Sequence, residues 1–152
     1  MLVYRLSKTK FARDLTGEGA RLNGGRWNHP LTACLYTAQS RSLAILEYTV
    51  NVNIDDIPRA LSLVTLEIPD SSIDIYSELL LPGDWKAAPA PASTRDFGTN
   101  WLKTARNLMM QVPSTIVPEE WNIIINPLHP NMKECKILNI RDFVYDVRIK
   151  LK

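Results

Sequence analysis

Apolar and polar positions alternate over residues 2–6, which predicts a first strand with Tyr4 and Arg5 on opposite faces. The polar segment 7–28 carries four of the six glycines and predicts a long ordered loop. Such a loop inside a compact domain is more often functional than idle. A short buried strand is expected at 33–37. Over 40–51 the spacing becomes helical, with Leu43, Leu46 and Val50 on one face. Glu47 falls about 40° from Leu43 around that helix, inside the same apolar arc.

Further on, 53–59 reads as a turn ending at Pro58, and 60–68 and 72–76 read as strands. Residues 76–81 predict a helical turn stopped by Pro82 and Gly83. The proline- and alanine-rich run 86–92 is a surface connection, because too little chain follows it for a second core. Ser93 opens another helix, with Asp96 as its capping partner and Pro113 as its end. Phe97, Trp101, Ala105 and Leu108 form its core stripe. Short strands are expected at 114–117, 121–126, 136–140 and 143–149. In the last of these, Phe143, Tyr145, Val147 and Ile149 share one face. Strands at both ends and helices between them predict an α+β fold rather than alternating βαβ units. The expectation is a single domain over 1–152, with a mixed or antiparallel sheet core and flanking helices.

Composition narrows the class. A chain of 152 residues, 45% hydrophobic and 22% charged, suits one ordinary globular domain. No apolar stretch approaches the ~20 residues of a membrane span, and no secretory signal is visible, so a cytoplasmic setting is expected. Cys34 and Cys135 are far apart, with neither zinc-site nor disulfide-framework spacing. A net charge of +2 argues against bulk nucleic-acid binding. The basic finish at Arg148, Lys150 and Lys152 reads as a solvated strand end.

The chemistry concentrates between Gly17 and Glu47, where glycines, Arg26, Tyr36 and a carboxylate in an apolar arc occur together. A buried acid must be partnered or open into a cavity. Glu47 is therefore either half of an internal salt bridge to Arg26 or Arg5, or a catalytic acid. Gly17 and Gly19 begin like a dinucleotide fingerprint, but Leu22 stands at the third glycine position and no strand immediately precedes the run. There is no P-loop. His29 and His129, the two histidines, have no metal-ligand spacing between them. Ser114 and His129 lack the nucleophile elbow of a hydrolase.

Five segments in order, GGRWN at 24–28, LYTA at 35–38, SLAILE at 42–47, VPSTIVP at 112–118 and WNIIINPLHP at 121–130, resemble the RES domain family. That family is named for an Arg, a Glu and a Ser, which match Arg26, Glu47 and Ser114. The match covers nearly the whole chain, and between 66 and 93 nothing carries the resemblance. The likeness implies a fold similar to that of ADP-ribosyltransferases and a toxin of a toxin–antitoxin pair, restrained by an Xre-type helix-turn-helix antitoxin. It implies NAD⁺ as substrate, with no further cofactor, and no direct nucleic-acid or membrane partner. On this reading Glu47 stabilises an oxocarbenium-like ribose or holds its hydroxyls. Arg26 binds the pyrophosphate, with the Gly24 and Gly25 amides close by. Tyr36 stacks on nicotinamide or is a routine core tyrosine. Ser114 hydrogen-bonds the amide or a ribose hydroxyl and is not a nucleophile. Arg5 helps with phosphates, and Asn126 and His129 shape the rim, unless His129 simply fixes its loop. The acceptor of ADP-ribose is phosphate or water, or alternatively a cellular protein. A non-catalytic nucleotide-binding module is the reading from another class.

Overall fold

A computed structural model describes residues 1–57, 59–70 and 72–149. Seven strands form one sheet: β1 (Leu2–Lys8), β2 (Leu35–Ala38), β3 (Leu61–Glu67), β4 (Ile73–Ile75), β5 (Met109–Pro113), β6 (Trp121–Ile125) and β7 (Lys136–Phe143), in the order β4-β5-β6-β2-β1-β3-β7. Among the described strands only β4 and β5 run parallel. Among the described residues three α-helices accompany the sheet: α1 (Glu18–Asn23), α2 (Arg41–Asn51) and α3 (Ala92–Thr104).

The sheet has two halves. Strands β1, β3 and β7 are joined by long antiparallel ladders, as are β2, β5 and β6. Between them, β1 and β2 share one Cα pair, Tyr4 with Ala38. Strand alternation fixes which residues share a face. Ala38 pairs with Tyr4 and with Asn122, so Tyr4, Tyr36, Ala38, Asn122 and Ile124 line one face, and Arg5 lies on the other. The Arg5 face holds a core of Val3, Leu35, Val64, Leu66, Met109, Ile123 and Ile125. The first face carries two separate apolar clusters. One gathers Trp27, Trp85, Trp101, Met110, Val112 and Ile124 beneath α3; the other gathers Tyr4, Leu6, Ala38, Leu43, Leu63 and Tyr145 beneath α2. Among the described residues no helix is long and apolar enough to cross a membrane.

The α+β class and the mixed sheet are as the strand pattern leads one to expect. Several local expectations are not met. The segment 7–28 contains α1 and a 3₁₀ turn at Thr9–Phe11, rather than loop throughout. Helix α3 begins one residue early, at Ala92, and has no side-chain cap; Asp96 instead meets His29. It ends at Thr104, where Ala105 adopts a left-handed conformation (φ 48°), and Leu108 leads into β5. Pro113 closes that strand and not a helix. Residues 115–117 are a bend that leads into a turn at 118–119, not a strand. Two separate strands were expected at 136–149, but β7 runs unbroken to Phe143 and a 3₁₀ turn follows at Val147–Ile149, which breaks the expected alternating face. On α2, Leu43 is buried as expected, whereas Val50 is 53% exposed. Pro58, Lys150 and Lys152 lie outside the described residues.

Candidate active site

Helix α2 starts cleanly because Ser40, its N-cap, accepts a hydrogen bond from the Leu43 N–H. About two turns further on, Glu47 reaches the seam between the two apolar clusters. There, Oε1 accepts from Ser114 Oγ at 2.8 Å and from Asn122 Nδ2 at 2.6 Å. Oε2 has no partner among the described residues. Ser114 is fully buried, and its Oγ also accepts from the Ile116 and Val117 N–H groups. The hydroxyl's single proton is therefore directed at Glu47. Asn122 stands on the Tyr36 face of β6. The carboxylate is thus aimed by a turn and by a strand, with one oxygen fixed and one open.

The alternative of an internal salt bridge is overturned. Glu47 pairs with neither arginine among the described residues. Arg26 Nη1 donates to the carbonyls of Trp85 and Ala87, each at 2.8 Å, and Nε and Nη2 have no acceptor among the described residues. Partial burial lowers the pKa of Arg26, and nearby Glu47 acts in the opposite direction. Acid and guanidinium therefore sense each other without touching.

Arg26 is held by a tightly sewn loop. Asn28, fully buried, donates through Nδ2 to the carbonyls of Ala20 and Thr32, and its Oδ1 accepts from the Tyr36 hydroxyl at 2.7 Å. Tyr36 in turn accepts from the Trp27 N–H at 2.9 Å. Burial drives the Tyr36 pKa well up, so the phenol keeps its proton. Gly25 packs directly on this ring: a Cβ there would come within 2.6 Å of the hydroxyl oxygen. The other end of the loop is pinned to α3, where the Trp27 carbonyl approaches Gly98, the His29 N–H donates to Thr99 Oγ1, and His29 Nε2 meets Asp96 at 2.6 Å.

Arg26, Tyr36, Glu47 and Ser114 therefore gather on one face of the sheet. The remaining candidates do not join them as expected. The Gly24 and Gly25 N–H groups are already donated, to Ala20 and Asn28 carbonyls, and neither is free for a pyrophosphate. Arg5 lies on the opposite sheet face, with Nη2 donating to Phe11 and Ala12 carbonyls. Asn126 is four residues beyond Asn122, ~13 Å along the strand, and its side chain is used by Leu102 and Leu128. His129 accepts from the Asn131 N–H through Nδ1 and fixes its own loop. Sequence reasoning passed over Asn122 and Asn28. Both sit inside the motifs WNIIIN and GGRWN, and an amide directly after a tryptophan was the available signal. No group of three His, Cys, Asp or Glu suited to a metal occurs among the described residues.

The architecture matches a chain of the crystal structure of the M. tuberculosis MbcT-MbcA toxin–antitoxin complex. The TM-score is 0.72 at 20% identity, over 94% of this chain and 84% of that one, which establishes a shared fold. The chain belongs to the RES domain family, whose model matches residues 2–146. It is 41% identical over 146 residues to a protein of Sphingobium sp. (strain YBL2) named Prs ADP-ribosylating toxin, covering 94% of this chain and 91% of that protein. It is 39% identical to a Yersinia enterocolitica protein named Toxin Res, over 99% of this chain and 100% of the relative.

Proposed function

We propose that this chain is a toxin that destroys NAD⁺ by breaking the nicotinamide–ribose bond. The observation that carries the reading is the half-tethered carboxylate of Glu47 beside Arg26. As the C1′–N bond breaks, its electron pair leaves with nicotinamide and C1′ acquires oxocarbenium character. A carboxylate held by two donors, in a seam between apolar clusters, is preorganised to stabilise that charge, and its Oε2 has no partner among the described residues. The free N–H groups of Arg26 suit a diphosphate. An oxygen of phosphate or water then bonds to C1′ and gives up its proton, leaving ADP-ribose-1″-phosphate or ADP-ribose. NAD⁺ is a substrate here and no other cofactor is required.

A second reading keeps the bond cleavage and changes the acceptor to a side chain of a cellular protein. The name of the Sphingobium relative favours it. Kinship with proteins named as toxins, and a fold shared with a toxin–antitoxin complex, support an antitoxin partner, of the Xre type on family grounds. The cytoplasm, with its NAD⁺ pool, is the setting this activity calls for.

The test is incubation of the purified chain with NAD⁺, with and without phosphate. Release of nicotinamide is expected, and absence of release under both conditions would overturn the reading. Mass spectrometry of the product separates phosphate from water as acceptor. A labelled protein band in a cell extract would favour transfer to protein.

A further inference from the structure

One cation near the site has no assigned task. Arg95 lies on α3 one turn before Gly98, and residues three apart share a helix face. Gly98 receives the Trp27 carbonyl, and Trp27 is the neighbour of Arg26. A second tie leads to the same place. Ser93 hydrogen-bonds Asp84, and the adjoining Trp85 offers its carbonyl to Arg26. Loop and helix are therefore locked together on both sides of Arg95. The side chain is partly buried and makes no hydrogen bond or ion pair among the described residues. The acids of this region are otherwise occupied: Asp84 by Ser93, Asp96 by His29, Glu78 by Lys86 and Glu47 by Ser114 and Asn122. Arg95 is close enough to Arg26 to disfavour its charged form, the reverse of the influence of Glu47.

Two guanidiniums carried by a loop and a helix that are pinned together, with the acids nearby otherwise engaged, repel each other unless an anion intervenes. We propose that Arg26 and Arg95 are the two arms of a clamp for a phosphate group, with Arg95 reaching from α3 and Arg26 from the glycine loop. Planar forks on both sides match the oxygens of a phosphate better than point charges do. The inference rests on the NAD⁺ reading for its natural ligand but can be tested without turnover. The phosphate has two possible sources, the diphosphate of the dinucleotide and an orthophosphate acceptor.

Calorimetric titration of ADP-ribose and of inorganic phosphate into the wild-type chain, Arg95→Gln and Arg95→Lys distinguishes them. Arg95→Gln is expected to weaken ADP-ribose binding at least tenfold, with partial recovery in Arg95→Lys and no change in melting temperature. A loss confined to inorganic phosphate would place the acceptor in the clamp instead. Wild-type affinity of Arg95→Gln for both probes, or binding of neither by the wild type, would overturn the clamp. A wild-type chain that binds ADP-ribose through Arg95 and yet releases no nicotinamide would remove the NAD⁺ reading and leave the clamp standing.

Discussion

Asn122 on β6 donates its amide proton to the same Glu47 oxygen that receives the proton of Ser114, at 2.6 Å. Two donors on one oxygen set the plane of the carboxylate and leave the second oxygen available. Asn122→Ala removes one hydrogen bond to a charged group, worth about 1.5–3 kcal/mol. The expected result in nicotinamide release is a kcat lower by roughly 10–100-fold, with KM little changed. An equal rise in KM would mean that Asn122 touches the substrate.

Glu47→Gln keeps an acceptor oxygen for both donors and removes the charge. Thermal melting is expected to be unchanged, while turnover falls by roughly 10²–10³-fold, as when a preorganised electrostatic group is lost. Full turnover in this variant would take Glu47 out of the reaction.

Ser114→Ala is expected to cost stability as well as rate. The side chain is fully buried and satisfies the Ile116 and Val117 N–H groups. Leaving buried donors unpaired costs about 1–3 kcal/mol, or several degrees of melting temperature at this chain length. Circular dichroism melting curves check this, and an unaltered melt would show that water replaces the hydroxyl.

Two glycine-to-alanine changes should act in opposite directions. At Gly98 a Cβ would meet the Trp27 carbonyl oxygen at 2.0 Å, so the Arg26 loop must move off α3. A loss of about 1–3 kcal/mol and of substrate affinity is expected. Gly19, in α1, has nothing within 4 Å of an added Cβ. Alanine there should stabilise by about 0.5–1 kcal/mol. Denaturant titrations of the two variants provide the comparison.

The cysteines should differ in reactivity. Cys34 is buried, and its thiol pKa is pushed far up by that burial, with Tyr36 acting more weakly in the opposite direction. Cys135 is half-buried, with its pKa raised by burial and then by Glu134. Iodoacetamide near neutral pH is expected to label Cys135 slowly and Cys34 only after denaturation, as read by peptide mass spectrometry.

The sequence made some of this legible and hid the rest for identifiable reasons. Strand β3 was readable as a β-branched, apolar run, and helix α2 from apolar residues at three- and four-residue steps after Ser40. Helix α1 escaped because two glycines and a polar run read as loop, and because its six residues bury no apolar face. The end of α3 escaped because Phe97, Trp101, Ala105 and Leu108 keep helical spacing straight through the Ala105 turn into β5. Local spacing cannot register a left-handed residue. Arg26 and Glu47 stood out from the residues themselves, as a guanidinium after two glycines and a carboxylate in an apolar arc, and Ser114 entered through the resemblance. Their geometry was not legible, since Glu47 depends on Ser114 and Asn122, 67 and 75 residues away.

The grip on Arg26 comes from main-chain oxygens of Trp85 and Ala87, and every amino acid carries such an oxygen. Replacing the Ala87 side chain leaves that acceptor in place, so selection acts there on the path of the chain rather than on its letters. The stretch 66–93 thus aims a guanidinium through the path of its main chain, a contribution that no side-chain motif announces.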